Sequence, residues 1–268
     1  MLYHVSFDFV ILKSIILSTI PKNEHIMKIK ILLILFSLIT GFVNAQPETE
    51  KKLPWDYPVK PGMEEWRQFK TGRQRFDACQ IPQKVLESLK TDDLAEICMQ
   101  YPLYIEYGFL NDERSSTRFI IENFNGLKEL SRRKDGTKAL INIYKDFPVL
   151  SEMLQESSKD FDAPIKIPFL ELLLSDSVFV QQMDERLAFE LEKTVLGKYL
   201  KKLENNHIYG FWNIKHTFLL GATVMDYRNK YAHLPEVQEV IKRYIENFNY
   251  PEAYPELITE ISKIISEI

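Results

Sequence analysis

The stretch from Met27 to Ala45 decides which residues take part in the fold and in which compartment they fold. Lys28 and Lys30 give it a basic start, Ile31 to Ile39 an apolar run, and Val43-Asn44-Ala45 a close of small or short side chains. That order is the three-part form of a secretory signal peptide, removed from the mature protein. Cleavage is expected after Ala45, leaving Gln46 as the new N-terminus and 223 residues to fold. Residues 1–26 sit awkwardly ahead of such a signal and read as an upstream extension. Their apolar run from Val10 to Ile20 carries Lys13 and is short of the ~20 residues a membrane helix needs. No cysteine stands at the cut, so no lipid anchor and no stable membrane insertion after cleavage is expected. The location implied is exported, periplasmic or secreted.

Losing Lys13, Lys22, Lys28, Lys30, Asp8 and Glu24 takes the formal charge from −4 to −6. A mildly acidic exported chain has no electrostatic footprint for nucleic acid. Glycine is scarce at 9 in 268 residues, Leu, Ile, Glu and Lys dominate, and no Val/Thr-rich alternation appears. The fold class expected is all-α, with residues 63–268 as a single helical domain. Ahead of it, residues 46–62 form a Pro-rich arm. Pro54, Pro58 and Pro61 exclude regular helix there, Pro61-Gly62 suits a type II turn, and Trp55 and Tyr57 are expected to pack on the body.

Helical patterning starts at Met63. Thr71-Gly72 ends a first helix, Pro82 opens a third, and Thr91 ahead of Asp92-Asp93 reads as an N-cap with acids on the first turn. Asn111 to Ser116 reads as a polar loop, and Arg132, Arg133 and Lys134 as a solvated helix end. Ile167 to Leu174 reads as a buried helix, followed by a cap at Ser175-Asp176-Ser177 and a break near Asp184. Leu187, Leu191, Val195, Tyr199 and Leu203 then advance by four as one stripe. From His207 to Arg228 the pattern is apolar nearly all round, which marks a buried helix. Two more helices are expected, Pro235 to Phe248 and Tyr254 to Ile268.

One pattern recurs. Leu94-x-x-Ile97-x-x-x-Tyr101-Pro102-Leu103 is echoed by Leu140-x-x-Ile143-x-x-x-Phe147-Pro148-Val149, offset by 46 throughout. That period falls in the ~40–47 residues of HEAT and armadillo arrays. The architecture expected is stacked helical hairpins in the manner of such an α-solenoid, against coincidence as the plain alternative.

The stretches Trp55 to Gly62, Ala78-Cys79-Gln80-Ile81-Pro82 and Glu96 to Leu103 together resemble an uncharacterised exported helical protein family of Bacteroidetes-type bacteria. The resemblance runs from about Trp55 to Tyr144. It implies an envelope or secreted protein and carries over no catalytic or binding residue.

Enzyme signatures are sparse: no Gly-rich phosphate loop, Gly-x-Ser-x-Gly or His-Glu-x-x-His occurs. The mature histidines, His207, His216 and His233, match no metal spacing, and no cofactor or metal is implied. One constellation is local: Trp212, His216, Thr223 and Tyr227 share a narrow sector of the most apolar helix. They are candidates to line a pocket with His216 as base, or to be ordinary core residues. Cys79 and Cys98 are the two cysteines of the chain. In an oxidising compartment an even count favours a bridge, while Cys98 on an apolar face equally fits a free core thiol. Two functions from different classes follow. One is an exported scaffold that binds protein or peptide, without enzymatic activity; the other is an envelope hydrolase built around His216.

Overall fold

The structure is a computed structural model that describes residues 52–108, 112–148, 163–232 and 235–248. Side chains at 107, 163–164, 206–213, 236–237, 240 and 247 lie outside that description, as do residues 1–51, which hold the signal segment. The described residues from Leu53 on belong to one compact unit. They form helices and no strands. None of the helices is long and apolar enough to cross a membrane.

Two short helices lead in: α1 (Glu64–Gln68) and α2 (Gly72–Ala78). A reciprocal capping box starts α2: the Thr71 hydroxyl accepts from the Gln74 amide, and the Gln74 side chain accepts from the Thr71 amide. The arm before them docks as expected. Tyr57 is buried and donates to the Ile97 carbonyl at 3.1 Å, with Trp55 edge-on to its ring at 4.7 Å. Gly62 has φ +95, as the second central position of the Pro61-Gly62 turn demands.

A three-helix unit then recurs. α3 (Gln83–Ser88), α4 (Thr91–Met99) and α5 (Glu113–Asn123) make the first. α6 (Asn125–Leu130), α7 (Gly136–Asp146) and α8 (Ala163–Ser175) make the second. α9 (Ser177–Val180), α10 (Glu185–Glu204) and α11 (Asn206–Tyr227) make the third. α12 (Pro235–Asn247) follows. Middle helices pack in one row, α4 on α7 and α7 on α10, and closing helices in another, α5 on α8 and α8 on α11. Leu94, Ile97, Tyr101 and Leu140 are buried in a common core, with Ile143 and Phe147 packed against it. Both copies of the 46-residue echo thus face one core.

Polar side chains bind unit to unit at similar offsets. Asn125 accepts from the Ile81 amide at 3.0 Å and donates to the Ile81 carbonyl at 2.7 Å. Thr137 donates to the Phe179 carbonyl at 2.9 Å, and within the third unit Tyr227 donates to the Met183 carbonyl at 2.6 Å. Arg133 corrects the reading of a solvated basic turn: its guanidinium donates to the carbonyls of Leu86 and Leu89 at 3.0 and 2.7 Å. Those are orphan acceptors at the end of α3, where a cation also suits the helix dipole.

Local signals fared unevenly. Asp176 and Asp184 cap α9 and α10 by accepting from the amides of Val178 and Leu187. Thr91 is not a cap: Lys90 holds that position, and the Thr91 hydroxyl reaches across to Asp135 at 2.9 Å. The loop expected over Asn111 to Ser116 is already helix from Glu113, with Asp112 as its cap. The helix expected over Tyr254 to Ile268 lies outside the described residues.

Cys79 and Cys98 are both fully buried free thiols, so the bridge alternative gives way to the core alternative. Burial, helped by the charge of Glu106, pushes the Cys79 thiol up to about 12. Burial raises Cys98 as well, against a small opposing pull from Arg133. Both are therefore thiols rather than reactive thiolates at neutral pH.

Candidate functional site

His216 stands in the middle of α11 and is 2 % exposed. Its Nε2 lies 3.0 Å from Oε2 of Glu113, the first residue of α5, and Lys215 Nζ lies 2.7 Å from the same oxygen. Phe248 roofs the pair: its ring centroid is 5.3 Å from the imidazole and 4.6 Å from Lys215 Nζ. Tyr244 closes the side by donating to the Lys215 carbonyl at 3.0 Å. Burial alone would raise the Glu113 carboxyl, but the hydrogen bonds and charges of His216 and Lys215 outweigh it and hold it below its ordinary value. The cluster ties the closing helix of the first unit to that of the third.

The other candidates of the sector do not converge on His216. Tyr227 is eleven residues further along α11, about 16 Å at the helical rise. It is 40 % exposed, with its hydroxyl committed to Met183. Thr223 is buried, and its hydroxyl has no partner among the described residues. The Trp212 side chain and His207 and His233 fall outside the described side chains. Sequence reasoning missed Glu113, which carries no local signal because it lies 103 positions from His216.

A second polar cluster is wholly enclosed. Glu171 of α8 accepts through Oε1 from Tyr144 at 2.9 Å, Thr217 at 2.6 Å and Lys202 at 3.2 Å, so α7, α8, α10 and α11 meet on one carboxylate oxygen. Glu171 and Thr217 are 0 % exposed and Lys202 1 %. Burial and the adjacent carboxylate push the Tyr144 hydroxyl well above its ordinary range. The cavity beside Thr217 measures about 10 Å³, room for one water at most. This is a structural centre with no space for a substrate.

Open space lies elsewhere, on the row of middle helices. A groove of about 380 Å³ runs between α4 and α7, lined by Glu96, Met99, Gln100, Ile143 and the start of α8 at Lys166. A second of about 380 Å³ runs between α7 and α10, lined by Lys145, Lys193, Thr194, Gly197, Lys198 and Lys201. Asp146, Phe147 and Pro148 belong to both, forming the ridge between them. Phe147 ends α7 as its C-cap, and the proline after it cannot continue the helix. At Gly197 nothing stands within 4 Å of where a Cβ would be. Lys198 reaches over to donate to the Phe147 carbonyl and lies 5.1 Å above the Tyr144 ring. Neither groove is lined by His216.

Among the described residues, no group of three or more His, Cys, Asp or Glu is placed to hold a metal ion. Comparison with protein-family models, with curated proteins and with solved structures gives no match.

Proposed function

We propose that the chain is an exported helical scaffold, a short armadillo-like array that binds a segment of another protein across the row formed by α4, α7 and α10. The observation that carries this is the pair of grooves flanking Phe147-Pro148. Three successive middle helices border them. The Glu113 to Lys215 and His216 link joins closing helices, and neither groove includes these residues. Export rests on Met27 to Ala45 and on the resemblance from Trp55 to Tyr144. N-terminal sequencing of protein recovered from the native envelope should begin at Gln46; a chain retained in the membrane with residues 31–42 would contradict export.

Binding is tested by immobilising the mature chain beside a Gly197→Trp chain, whose indole would stand in the open groove, and capturing envelope proteins on both. A partner held by the first and lost from the second supports the reading. Equal capture by both contradicts it.

The second reading, an envelope hydrolase, has one observation in its favour: a carboxylate within hydrogen-bond reach of His216. The burial of His216 beneath Phe248 weighs against substrate access. A His216→Gln chain that folds and still hydrolyses whatever ester or peptide substrate the native chain cleaves would remove His216 from that chemistry.

A further inference from the structure

The chain from Leu53 to Ala78 is fastened to the helical body near its two ends and only lightly in between. Of these residues Tyr57 alone is buried. α1 and α2 bury no residue, whereas α4 buries Leu94, Ala95, Ile97, Cys98 and Met99. Leu53, Trp55, Trp66 and Phe76 rest half-buried on the core. The ion pairs of the segment are made within it: Lys60 with Asp56, Arg67 with Glu64, and Arg73 with Asp77. Among the described residues, the bond from the Tyr57 hydroxyl to the Ile97 carbonyl at 3.1 Å is the one hydrogen bond that carries it beyond Ile81. Arg75 adds a charge near the exposed Glu106, a contact worth little where solvent screens it.

After Ala78 the fastening changes. Cys79 is fully buried, the Asn125 amide donates to Gln80 Oε1 at 3.0 Å, and the Asn125 side chain holds both the amide and the carbonyl of Ile81. The body therefore begins at a clamp on Gln80-Ile81. We propose that residues 53–78 are a strap that opens as one unit while the helices from Gln83 on stay folded, pivoting at that clamp once Tyr57 withdraws. A segment with so little buried area and one hydrogen bond to the rest opens at a fraction of the free energy of global unfolding. Opening lifts α2 together with Cys79, its C-cap, and uncovers that thiol. It also frees the last turn of α4. The Ile97 carbonyl keeps the Gln100 amide at 3.0 Å but loses Tyr57, and the Tyr101 ring keeps its stack on Phe124 at 4.1 Å but loses the Tyr57 ring at 6.4 Å. Met99 and Gln100 of that turn line the groove between α4 and α7, so the position of the strap sets how firmly one wall of the groove is held.

The test uses the mature chain in urea below its unfolding transition. Alkylation of Cys79 by iodoacetamide is located by peptide mapping, and backbone hydrogen exchange is followed segment by segment. Residues 53–78 should exchange at least about tenfold faster than the core amides of α7 and α8, as a separate opening unit does. Tyr57→Ala should speed alkylation of Cys79 by about tenfold or more, as loss of a buried ring implies, and speed exchange at 97–101, with α7 and α8 unchanged. Tyr57→Phe keeps the ring and loses only the bond to Ile97, so its effect should be smaller and in the same direction. Alkylation of Cys79 that keeps pace with exchange of α7 and α8 in every chain would overturn the strap, because segment and body would then open together. A Tyr57→Ala chain with an unchanged Cys79 rate, or one whose α7 and α8 loosen as much as residues 53–78, overturns it equally. A faster Cys79 rate with no change at 97–101 overturns the link to the groove wall.

Discussion

Glu171 and Lys202 show what single residues do in this chain. A carboxylate with no exposure is held by three donors from three other helices, and its Oε2 has no partner among the described residues. Removing one member strands the rest. Lys202→Met is expected to cost about 3–5 kcal/mol in urea unfolding, because an uncompensated carboxylate remains buried. Adding Glu171→Leu to that chain should restore part of the loss, since replacing both charges removes the stranded one. Glu113 makes the second residue-scale prediction. Its carboxyl sits below the ordinary value when folded, so its contribution is fully present above the unfolded value and is lost as pH falls through the folded one. Unfolding free energy should therefore drop on the acid side below about pH 4. Glu113→Gln should be less stable at neutral pH and show a shallower acid-side loss. None of this was legible beforehand: His216 drew notice as the one mid-helix histidine, but its partner comes from another unit, and Arg133 read as solvated because its acceptors lie 44 and 47 positions back.

At the scale of elements, the sequence was a good guide wherever the signal was local. Asp176 and Asp184 cap the helices they precede, and Leu191, Val195 and Tyr199 turn inward on α10 as a four-residue spacing requires. Thr91 misled because a hydroxyl before two acids looks like a cap whether or not a distant Asp135 claims it. The joints between units should be the sensitive points. Asn125→Ala removes both of its bonds to Ile81 and leaves a backbone amide and carbonyl short of partners, at about 1–3 kcal/mol. Turns inside a unit are sensitive as well: Gly136→Ala would set a Cβ 2.1 Å from the Leu130 carbonyl oxygen, a backbone atom that cannot swing aside. The expected cost is again about 1–3 kcal/mol, from overpacking rather than from φ. The thiols give a reading of α4 and the end of α2. Cys79 and Cys98 should be inert to a thiol reagent in the native mature protein and both react once it is denatured without reductant. A count below two would reopen the bridge.

Across the whole molecule, the scarcity of glycine and the 46-residue echo carried the all-α architecture, while the grooves escaped notice. They flank the end of α7, and three of their lysines, Lys193, Lys198 and Lys201, sit on α10 at positions that read as an ordinary solvated face. The account stands or falls on whether a partner lies across that ridge. The direct measurement is site-specific photo-crosslinking in the exporting cell, with a photoreactive residue placed in turn at Gly197, at Gln100 and at Phe119, which is 57 % exposed and lines neither groove. The account predicts that one protein is captured from both Gly197 and Gln100, through the same segment, and not from Phe119. No capture from the grooves, or equal capture from all three positions, would contradict it.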